Sequence, residues 1–563
     1  MRAHALRPGD HRLALHLGSL LCQLGRTAEA LVLLRKYQEA LAGDPAFLFL
    51  LGSVLAETGE KTEAIACLRR AVHHQPDHVE AHANLAFLLN DRRDLAGALV
   101  HGRRACELAP TDAKLAFSLA SIHHDAGDVA SASGLYRKAL SLNPDMPLVR
   151  SVLVMLGNYD SRCSRSERAL QARRWWRLHG EGQPRPFRFG HLDADSERPL
   201  RIGFVSPDFR RHSVSCFLLP LLEHLDPRRF LVHAYANQQI EDEITARIRN
   251  CCHKFTAIWG LPPEKAAGCI HADQIDILVD LAGHSRHNSL LVFAMRPAPI
   301  QVSWLGYPAT TGLATMDYRI TDALVDPPGL GEEELYSEKL IRLSGPFLCY
   351  TPPAGAPEPD ITGKTERLHP VFGSFNNPDK LNQETAAAWA AILATLPDAR
   401  LLLKNRRLDN SLAREHCLAL LRQAGVAAER VRIDGGEADT AAHLRRYADI
   451  DVALDTFPYN GTTTTCEALW MGTPVVALAG DCHAARVSAA ILERIGMADL
   501  AAAGVDRYVA AAAGLASDRG RLLELCRGMR GRLAASPLCD GRRFAGEMAS
   551  TFIGLWRSYR DAR

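Results

Sequence analysis

A spacing of 34 residues recurs through the first 150 residues of this 563-residue chain and constrains the fold more than any single motif. At this interval a leucine is followed by a small residue four times: Gly18, Gly52, Ala86 and Ala120. Three of the repeats close with a proline, at Pro76, Pro110 and Pro144. Small residues let two antiparallel helices approach closely, and proline ends a helix because it lacks an N–H. The spacing therefore predicts a series of helix pairs over residues 1–145.

These repeats resemble the tetratricopeptide repeat, whose helix pairs stack into a solenoid. The concave surface of such a solenoid commonly holds an extended peptide or a partner protein. The same helices could instead serve as a dimerisation or spacer arm, and the sequence leaves both readings open. Residues 146–197 are predicted to form transitional helices and a linker, with Trp175 and Trp176 packing onto the domain that follows.

Charge balance and the lack of long apolar runs exclude several classes of protein. The chain has 66 Lys and Arg against 64 Asp and Glu, whereas general nucleic-acid binders carry a basic excess. No run approaches the roughly 18 apolar residues of a membrane span, and residues 1–10 lack the apolar core of a signal peptide. The 14 cysteines show no Cys-x-x-Cys spacing. We therefore expect a cytoplasmic protein with no nucleic-acid or membrane partner.

From residue 198 onward, short apolar runs alternate with helical stretches, which is typical of parallel sheets built from βαβ units. Predicted strands cover 200–205, 230–236, 275–281, 300–304 and 340–343, and beyond a proline-rich linker 371–375, 400–403, 431–433, 452–454 and 474–478. We predict two Rossmann-like, doubly wound domains, 198–365 and 366–563, with a ligand at the carboxyl ends of their strands. Neither half has Gly-x-Gly-x-x-Gly after its first strand, and no Walker loop is present, so a dinucleotide cofactor is not expected.

Threonines open a helix shortly after the strand predicted at 452–454. Thr462, Thr463 and Thr464 stand where this helix begins, and the unpaired N–H groups of a helix N-terminus bind phosphate. Glu467 lies about one turn further, where its carboxylate is suited to accept hydrogen bonds from ribose hydroxyls. The pattern predicts a site for a phosphorylated ribose ligand, although a run of threonines is also compatible with a simple helix cap.

Eight segments together resemble the O-linked N-acetylglucosamine transferase family, and the resemblance covers nearly the whole chain. They are 201–212 (RIGFVSPDFRRH), 296–301 (RPAPIQ), 304–308 (WLGYP), 316–318 (MDY), 336–340 (YSEKL), 375–380 (FNNPDK), 443–446 (HLRR) and 460–464 (NGTTT). The resemblance implies an α-helical tetratricopeptide solenoid followed by an α/β GT-B fold. It also implies inverting, metal-independent transfer of N-acetylglucosamine (GlcNAc) from UDP-GlcNAc to Ser or Thr hydroxyls of proteins. The density of Arg and Trp suggests a bacterial member.

At the diphosphate, the resemblance places Lys380 where the family has a lysine that contacts the phosphates. An ammonium there would neutralise the charge that develops on the leaving group. Only ten of the 66 basic residues are lysine, which makes this one more notable. The chain departs from the family nearby, because Asn377 replaces a glutamine, Asp379 replaces a tyrosine, and Thr462 replaces a histidine beside the sugar.

At the base, the resemblance places His443 against the uracil ring, and stacking of this kind contributes roughly 1–3 kcal/mol. Arg446, about one turn further along, is expected to face the same ligand. Ala438 and Thr440 stand in the loop that reads uracil and ribose through its backbone in the family. Thr440 replaces a lysine, so the resemblance leaves that ribose contact open in this chain.

For proton transfer, His212 is the first choice of base, with Asp208 four residues earlier to orient its ring. His271 matches a second family histidine and is the reserve candidate. The sequence leaves open whether a side chain or the donor's own phosphate takes the proton. Gly306 is expected to let the backbone approach the sugar, because glycine leaves that space free.

Several alternatives remain at this stage. Asp193 and Asp195 have Asp-x-Asp spacing but precede the first strand, so we expect no metal ligands among them and no cofactor. His483 and Arg486 either line the cleft or have a packing role. The chemistry could use another sugar, an Asn acceptor or nucleotide-sugar epimerisation, or the chain could be a UDP-binding repeat scaffold with little activity.

Overall fold

The computed structural model describes residues 11–189, 198–329 and 333–562. The chain divides into two compact units, which are Met1–Pro144 with Asn410–Ala413, and Asp145–Asp409 with Arg414–Arg563. Among the described residues, no helix combines the length and the apolar character needed to cross a membrane. All 14 cysteines are unbridged.

The first unit consists of helix pairs at the predicted 34-residue interval. Helices α1–α8 are His11–Gln23, Thr27–Arg35, Pro45–Glu57, Lys61–His74, Val79–Asp91, Leu95–Leu108, Ala113–Asp125 and Val129–Leu142. Pro76, Pro110 and Pro144 each stand two residues beyond a helix end, as the spacing predicts. At Gly52 a Cβ would lie 2.9 Å from Leu68 Cγ, so the small residue is required by the close approach of paired helices. The solenoid prediction is confirmed.

A connector of two helices precedes the first sheet. Helices α9 and α10 are Pro147–Leu156 and Arg165–Trp175, and a single π turn, Trp176–Gly180, extends the second. Trp175 and Trp176 are buried against Tyr235 and Leu278 of the following domain, which confirms the predicted packing of the tryptophan pair.

The first α/β half is a seven-stranded parallel sheet in the order β3-β2-β1-β4-β5-β6-β7. Its strands β1–β7 are Leu200–Ser206, Phe230–Ala236, Lys254–Ala257, Ile277–Asp280, Ile300–Ser303, Tyr318–Asp322 and Lys339–Leu343. Helices α11–α14 are Ser213–His224, Glu243–Cys251, Pro263–Ala272 and Leu290–Ala294. The sequence patterns missed two strands: β3 is short and half exposed, and β6 carries Arg319, Thr321 and Asp322, which are buried with polar partners.

The second half is a parallel sheet in the order β10-β9-β8-β11-β12-β13, so the two halves share one winding. Strands β8–β13 are Val371–Ser374, Arg400–Lys404, Val431–Asp434, Val452–Leu454, Val475–Leu478 and Ala501–Ala502. Helices α15–α23 are Thr362–Glu366, Gln383–Thr395, Ser411–Gln423, Thr440–Arg445, Thr463–Trp470, Val487–Arg494, Val505–Ser517, Arg519–Ala534 and Gly541–Asp561. These two sheets have the GT-B architecture that the sequence predicts.

The C-terminal helix α23 returns to the first half instead of remaining with the second. Its apolar face, with Phe544, Phe552 and Trp556, joins the core formed by β1 and β2. The aromatic rings of Phe544 and Trp304 lie 6.0 Å apart between centroids. The last helix therefore ties the two halves together.

Gly306 has a different role from the one expected, because the space beside it holds protein backbone. A Cβ at this position would lie 1.7 Å from the carbonyl oxygen of Leu281, just beyond the end of β4. The residue is glycine because the loop after β5 packs directly against the backbone after β4. Closeness to a sugar does not explain it.

Gly306→Ala should therefore destabilise the second unit by about 3 kcal/mol, at the upper end of overpacking costs, and lower its Tm in calorimetry. Gly546→Ala in α23 is the matched control, because a Cβ there meets nothing within 4 Å. This control should leave stability unchanged or raise it by roughly 0.5–1 kcal/mol. Equal Tm values for Gly306→Ala and the unaltered chain would contradict the packing argument.

Candidate active site

The polar residues of interest gather where the strand order of each sheet reverses. In the first half β1 and β4 are neighbours, and the strands that follow each of them lie on opposite sides of this pair. The neighbours β8 and β11 repeat this arrangement in the second half. Ligands of doubly wound sheets bind at the carboxyl ends of such strands. A small pocket opens at this edge of the second sheet, with Asn376, Asp455 and Thr464 in its lining.

Lys380 lies at this edge, at the end of the 3-10 turn Pro378–Lys380 that follows β8. Its Nζ donates to the backbone oxygen of Asn460 at 2.7 Å and to Asn376 Oδ1 at 3.3 Å. Desolvation lowers the pKa of the ammonium to about 8, and the nearby carboxylate of Asp455 opposes this shift. The position predicted from sequence therefore carries a cation held by neutral oxygen atoms.

The N-terminus of α19 meets the same asparagine. Thr464 Oγ1 donates to Asn376 Oδ1 at 3.0 Å, so this hydroxyl and the Lys380 ammonium share one acceptor. Thr462 is the N-cap residue and Thr463 the first helical residue, and no side chain caps this helix within the described part of the chain. A Cβ on Gly461 would lie 2.5 Å from Thr464 Oγ1, so the turn into the helix requires glycine. The structure brings the predicted threonines and the lysine together.

His443 is held at both ring nitrogens, and one of its partners escaped the sequence analysis. Lys404 Nζ lies 2.7 Å from His443 Nδ1, and Glu467 Oε2 lies 3.2 Å from Nε2. An ammonium only donates, so Nδ1 accepts and the ring proton sits on Nε2, facing the carboxylate. Tyr447 also donates to Glu467 Oε2, at 3.3 Å. Both ring nitrogens of the imidazole are occupied, which orients the ring.

Lys404 could have been found from the sequence by the signal that identified Lys380. Both are among only ten lysines, and both follow or end a strand of the second half at its carboxyl edge. Desolvation lowers the pKa of Lys404, and Glu437 opposes the shift. A buried cation there has a specific partner, His443.

The expectation that Arg446 contacts the ligand is not supported by its surroundings. Its guanidinium forms ion pairs with Asp434, with Glu437 at 3.3 Å and with Asp449 at 3.0 Å. Three carboxylates of its own neighbourhood thus neutralise it. The pairs instead fix the loop between β10 and α18, which contains Ala438 and leads into Thr440.

That loop lies at the carboxyl edge of β10, where the family resemblance places the uracil of the donor. Ala438 is exposed, and Thr440 is half-buried as the first residue of α18. Asp439 caps this helix by accepting from the Ala442 N–H at 2.7 Å. The backbone of the loop is therefore ordered beside the candidate base pocket.

Asn377 precedes the 3-10 turn and contacts Arg407, a residue that the sequence analysis missed. Asn377 Oδ1 accepts from the Asp379 N–H at 3.3 Å and from Arg407 NH1 at 3.1 Å. Arg407 also forms an ion pair with Asp379. The tyrosine-to-aspartate departure at position 379 is thus matched by an arginine that supplies the opposite charge.

His212 lies after β1 as predicted, but its hydrogen bond opposes immediate action as a base. Nδ1 accepts from the Val214 N–H at 3.3 Å and caps α11, while Asp208 Oδ2 lies 3.6 Å from the same nitrogen. In this tautomer the ring proton sits on Nε2, so the outer nitrogen donates. Desolvation lowers the pKa of His212, which keeps the ring neutral, and Asp208 opposes that shift. The ring accepts a proton at Nε2 only in its other tautomer, in which the proton sits on Nδ1 and faces Asp208.

His271 lies away from this edge, and we withdraw it as the reserve base. It lies in the last turn of helix α13, six residues before β4 begins, which places it at the amino edge of the parallel sheet. Its ring packs at 4.7 Å from Phe187 and 5.9 Å from Phe189, between centroids. The motif match was sound in sequence, but the direction of the chain carries this residue to the opposite end of the strands.

His483 and Arg486 connect the two halves. His483 Nδ1 lies 2.7 Å from Asp326 Oδ2, and both residues are buried. Arg486 Nε donates to the Leu324 backbone oxygen at 3.2 Å. These bonds join the segment before α20 to the loop between β6 and β7. Asp193 and Asp195 lie outside the described residues, so metal independence stays a prediction.

Lys404→Met should weaken binding of UDP about tenfold, because the His443 ring loses the donor that orients it for stacking. A tenfold change corresponds to about 1.4 kcal/mol, within the range of one base-stacking contact. Titration calorimetry with UDP measures this directly. Lys339→Met, at the exposed first residue of β7, is the control. Unchanged affinity in Lys404→Met would remove the proposed role of this residue.

Comparisons with known proteins agree with this fold. Residues 181–350 and 368–548 match the family model described as Glycosyl transferase family 41, and residues 4–153 match a tetratricopeptide repeat model. In solved structures, a mutant of the Thermobaculum terrenum O-GlcNAc transferase is 33% identical, with a TM-score of 0.84, and covers 93% of this chain and 99% of that one.

Curated relatives include plant proteins named probable UDP-N-acetylglucosamine–peptide N-acetylglucosaminyltransferase SPINDLY. The Arabidopsis thaliana protein is 41% identical over 369 residues, which are 65% of this chain and 40% of that protein. The Oryza sativa subsp. japonica protein is 37% identical over 430 residues, 76% of this chain and 46% of its own length. The chain thus spans less than half the length of these relatives. The family match, which covers both halves of the sheet-containing unit, shows that this chain belongs to glycosyl transferase family 41.

Proposed function

We propose that this chain is a protein glycosyltransferase that uses UDP-GlcNAc as donor and Ser or Thr hydroxyls as acceptors. The donor is the one named for its relatives, and a solved relative of nearly the same extent carries the name O-GlcNAc transferase. The observation that carries the proposal is the convergence of Lys380 and Thr464 on Asn376 at the N-terminus of α19. We further propose that it acts in the cytoplasm and requires no metal.

The binding of the donor follows from the site. The uracil stacks on a face of His443, whose edges are held by Lys404 and Glu467. The ribose hydroxyls donate to the Glu467 carboxylate, and the diphosphate lies against Thr463, Thr464 and the free N–H groups of the first helical turn. Each of these contacts is modest, at about 0.3–1 kcal/mol for the helix dipole, so affinity depends on their convergence.

Lys380 supplies the electrostatic part of the mechanism. The acceptor oxygen attacks the anomeric carbon, the bond from that carbon to the diphosphate oxygen breaks, and UDP leaves with the bonding electrons. Negative charge therefore grows on the diphosphate in the transition state. An ammonium already fixed by two neutral oxygens stabilises this charge without reorganisation. Attack from the face opposite the leaving group inverts the anomeric carbon.

The proton of the acceptor hydroxyl goes to His212 in this proposal. The ring must first release the Val214 N–H and change tautomer: Nε2 gives its proton to water, and Nδ1 takes one that it donates to Asp208, 3.6 Å away. Nε2 then has a lone pair for the proton. A base of this kind contributes roughly 10²–10⁴ in rate. Acceptor segments are proposed to be held along the tetratricopeptide helices, whose stacked pairs form a concave surface.

The decisive experiment incubates the full chain with cell lysate and a panel of nucleotide sugars that differ in base and in sugar. Mass spectrometry then identifies the added mass and the modified residue. Addition of N-acetylhexosamine to Ser or Thr, from UDP-GlcNAc and in the presence of EDTA, is the expected result. Another sugar, a GDP donor or an Asn acceptor would correct the substrate. Release of an epimerised sugar, or UDP binding without any transfer, would overturn the proposal.

Lys380→Ala should reduce kcat about 100-fold or more, with the affinity for UDP changed by less than about fivefold, because the ammonium acts chiefly in the transition state. In the unaltered chain kcat/KM should fall as pH rises through about 8, since the pKa of Lys380 is lowered to about 8 and its charged form is the active one. Steady-state kinetics and calorimetry measure both. Lys339→Ala is the control, and normal turnover in Lys380→Ala would exclude this residue from the mechanism.

A further inference from the structure

Two tyrosine rings lie in succession beside the Lys380 ammonium. Nζ lies 4.5 Å from the centroid of the Tyr459 ring, within the range of a cation–π contact. The Tyr159 ring lies 5.0 Å from the Tyr459 ring, at an interplanar angle of 51°. Tyr459 belongs to the loop after β11, whereas Tyr159 belongs to the connector just beyond α9. A residue of the connector thus stands one ring away from the candidate catalytic cation.

Hydrogen bonds fix both tyrosines in place. The Tyr459 backbone oxygen accepts from Thr456 Oγ1 at 2.8 Å. Asn382 Nδ2 lies 2.7 Å from the Phe457 backbone oxygen and 3.4 Å from that of Tyr159, so one side chain holds both segments. The fold therefore anchors the backbones that carry the two rings.

An aromatic ring holds a cation in a way that suits this site. Lys380 has three N–H donors, and Asn460 and Asn376 accept two of them, which leaves one for a ligand. A carboxylate as third partner would neutralise the ammonium, whereas a ring face attracts it and excludes water without cancelling its charge. Asp455 is the carboxylate that acts electrostatically on Lys380. Its Oδ1 accepts hydrogen bonds from the N–H groups of Gly461 at 2.7 Å and Thr456 at 2.9 Å.

We propose that Tyr459 and Tyr159 are positioning residues that hold the Lys380 ammonium for the diphosphate, so that the connector takes part in catalysis. The inference rests on the role proposed above for Lys380. Tyr459 is the inner ring, in contact with the cation. Tyr159 is the outer ring, which keeps Tyr459 in place and closes it from water. Neither ring needs to touch the reacting atoms.

This arrangement predicts a specific dependence on pH. The charged and titratable groups around Lys380 are Asp455 at the end of β11 and the Tyr459 phenol, and the Asp379–Arg407 pair lies nearby, beside Tyr159. Removing a ring admits water to the ammonium while Asp455 stays in place. Water relieves the desolvation and raises the pKa of Lys380, whereas loss of the cation–π attraction lowers it. Because desolvation is the largest cause of the lowered pKa, the rise should prevail and the high-pH decline of kcat/KM should move upward.

The test compares Tyr459→Phe, Tyr459→Leu and Tyr159→Leu in the full chain, through kcat, donor KM and the pH profile of kcat/KM. Tyr459→Phe keeps the ring and should stay within about twofold of the unaltered kcat, because cation–π attraction does not need the hydroxyl. Tyr459→Leu should lower kcat about tenfold, leave the donor KM within about threefold and shift the high-pH limb upward. Tyr159→Leu should act in the same direction with a smaller effect. Tyr559→Leu, whose ring stacks on Trp556 in α23, is the control.

The outcomes separate this inference from the proposed function. If Lys380→Ala keeps normal turnover, the role of the lysine fails first. If Lys380→Ala is impaired but Tyr459→Leu keeps the kcat and the high-pH decline of kcat/KM of the unaltered chain, the proposed role of the two tyrosines is wrong. A lower kcat in Tyr459→Leu without a shift of the high-pH decline of kcat/KM would also overturn the proposal, because that result is expected if the Tyr459 ring contacts the sugar instead of the ammonium. Should thermal melting show that Tyr459→Leu does not fold, Tyr159→Leu decides the matter by the same two readouts.

Discussion

One carbonyl oxygen, Oδ1 of Asn376, joins the parts of the candidate active site. It accepts from Lys380 Nζ at 3.3 Å and from Thr464 Oγ1 at 3.0 Å, while Nδ2 of the same side chain donates to Asp455 Oδ1 at 3.1 Å. The end of β8, the end of β11 and the start of α19 therefore share one amide. An amide both donates and accepts, so it can hold a cation, a hydroxyl and a carboxylate at once without adding charge. This neutrality leaves the charge of the ammonium available to a diphosphate.

The charge of the partners distinguishes the cations of this site from one another. Lys380 is held by neutral oxygens and a ring, whereas Arg446 is surrounded by three carboxylates and Arg407 is paired with Asp379. A paired arginine orders a loop, and an unneutralised lysine can stabilise new charge. Lys404 is a third case, because its partner is the neutral ring of His443. Its effect is to fix the tautomer and the orientation of that ring.

Much of the fold was predictable from local pattern. The 34-residue spacing predicts the helix pairs, and alternating apolar runs predict the paired sheets, because each depends on periodic burial within a short segment. The carboxyl-edge position of Lys380 and Thr464 followed from the rule that parallel strands share one edge. Strand β6 was not predicted, because the polar residues Arg319, Thr321 and Asp322 are buried there by partners outside the strand, such as the Ala309 backbone and Asp326.

By itself, the sequence determined the order of the units, the edge on which the site lies and most of the residues that meet there, since these follow from periodicity and chain direction. Tertiary structure alone decided what each side chain contacts. In the folded chain His271 lies at the amino edge of the sheet, and carboxylates neutralise Arg446. The Leu281 backbone fills the space beside Gly306, and Tyr159 packs on the ring that contacts Lys380. The physical reason is that charge pairing, ring contacts and backbone packing depend on groups far apart in the chain, and a local pattern has no information about them.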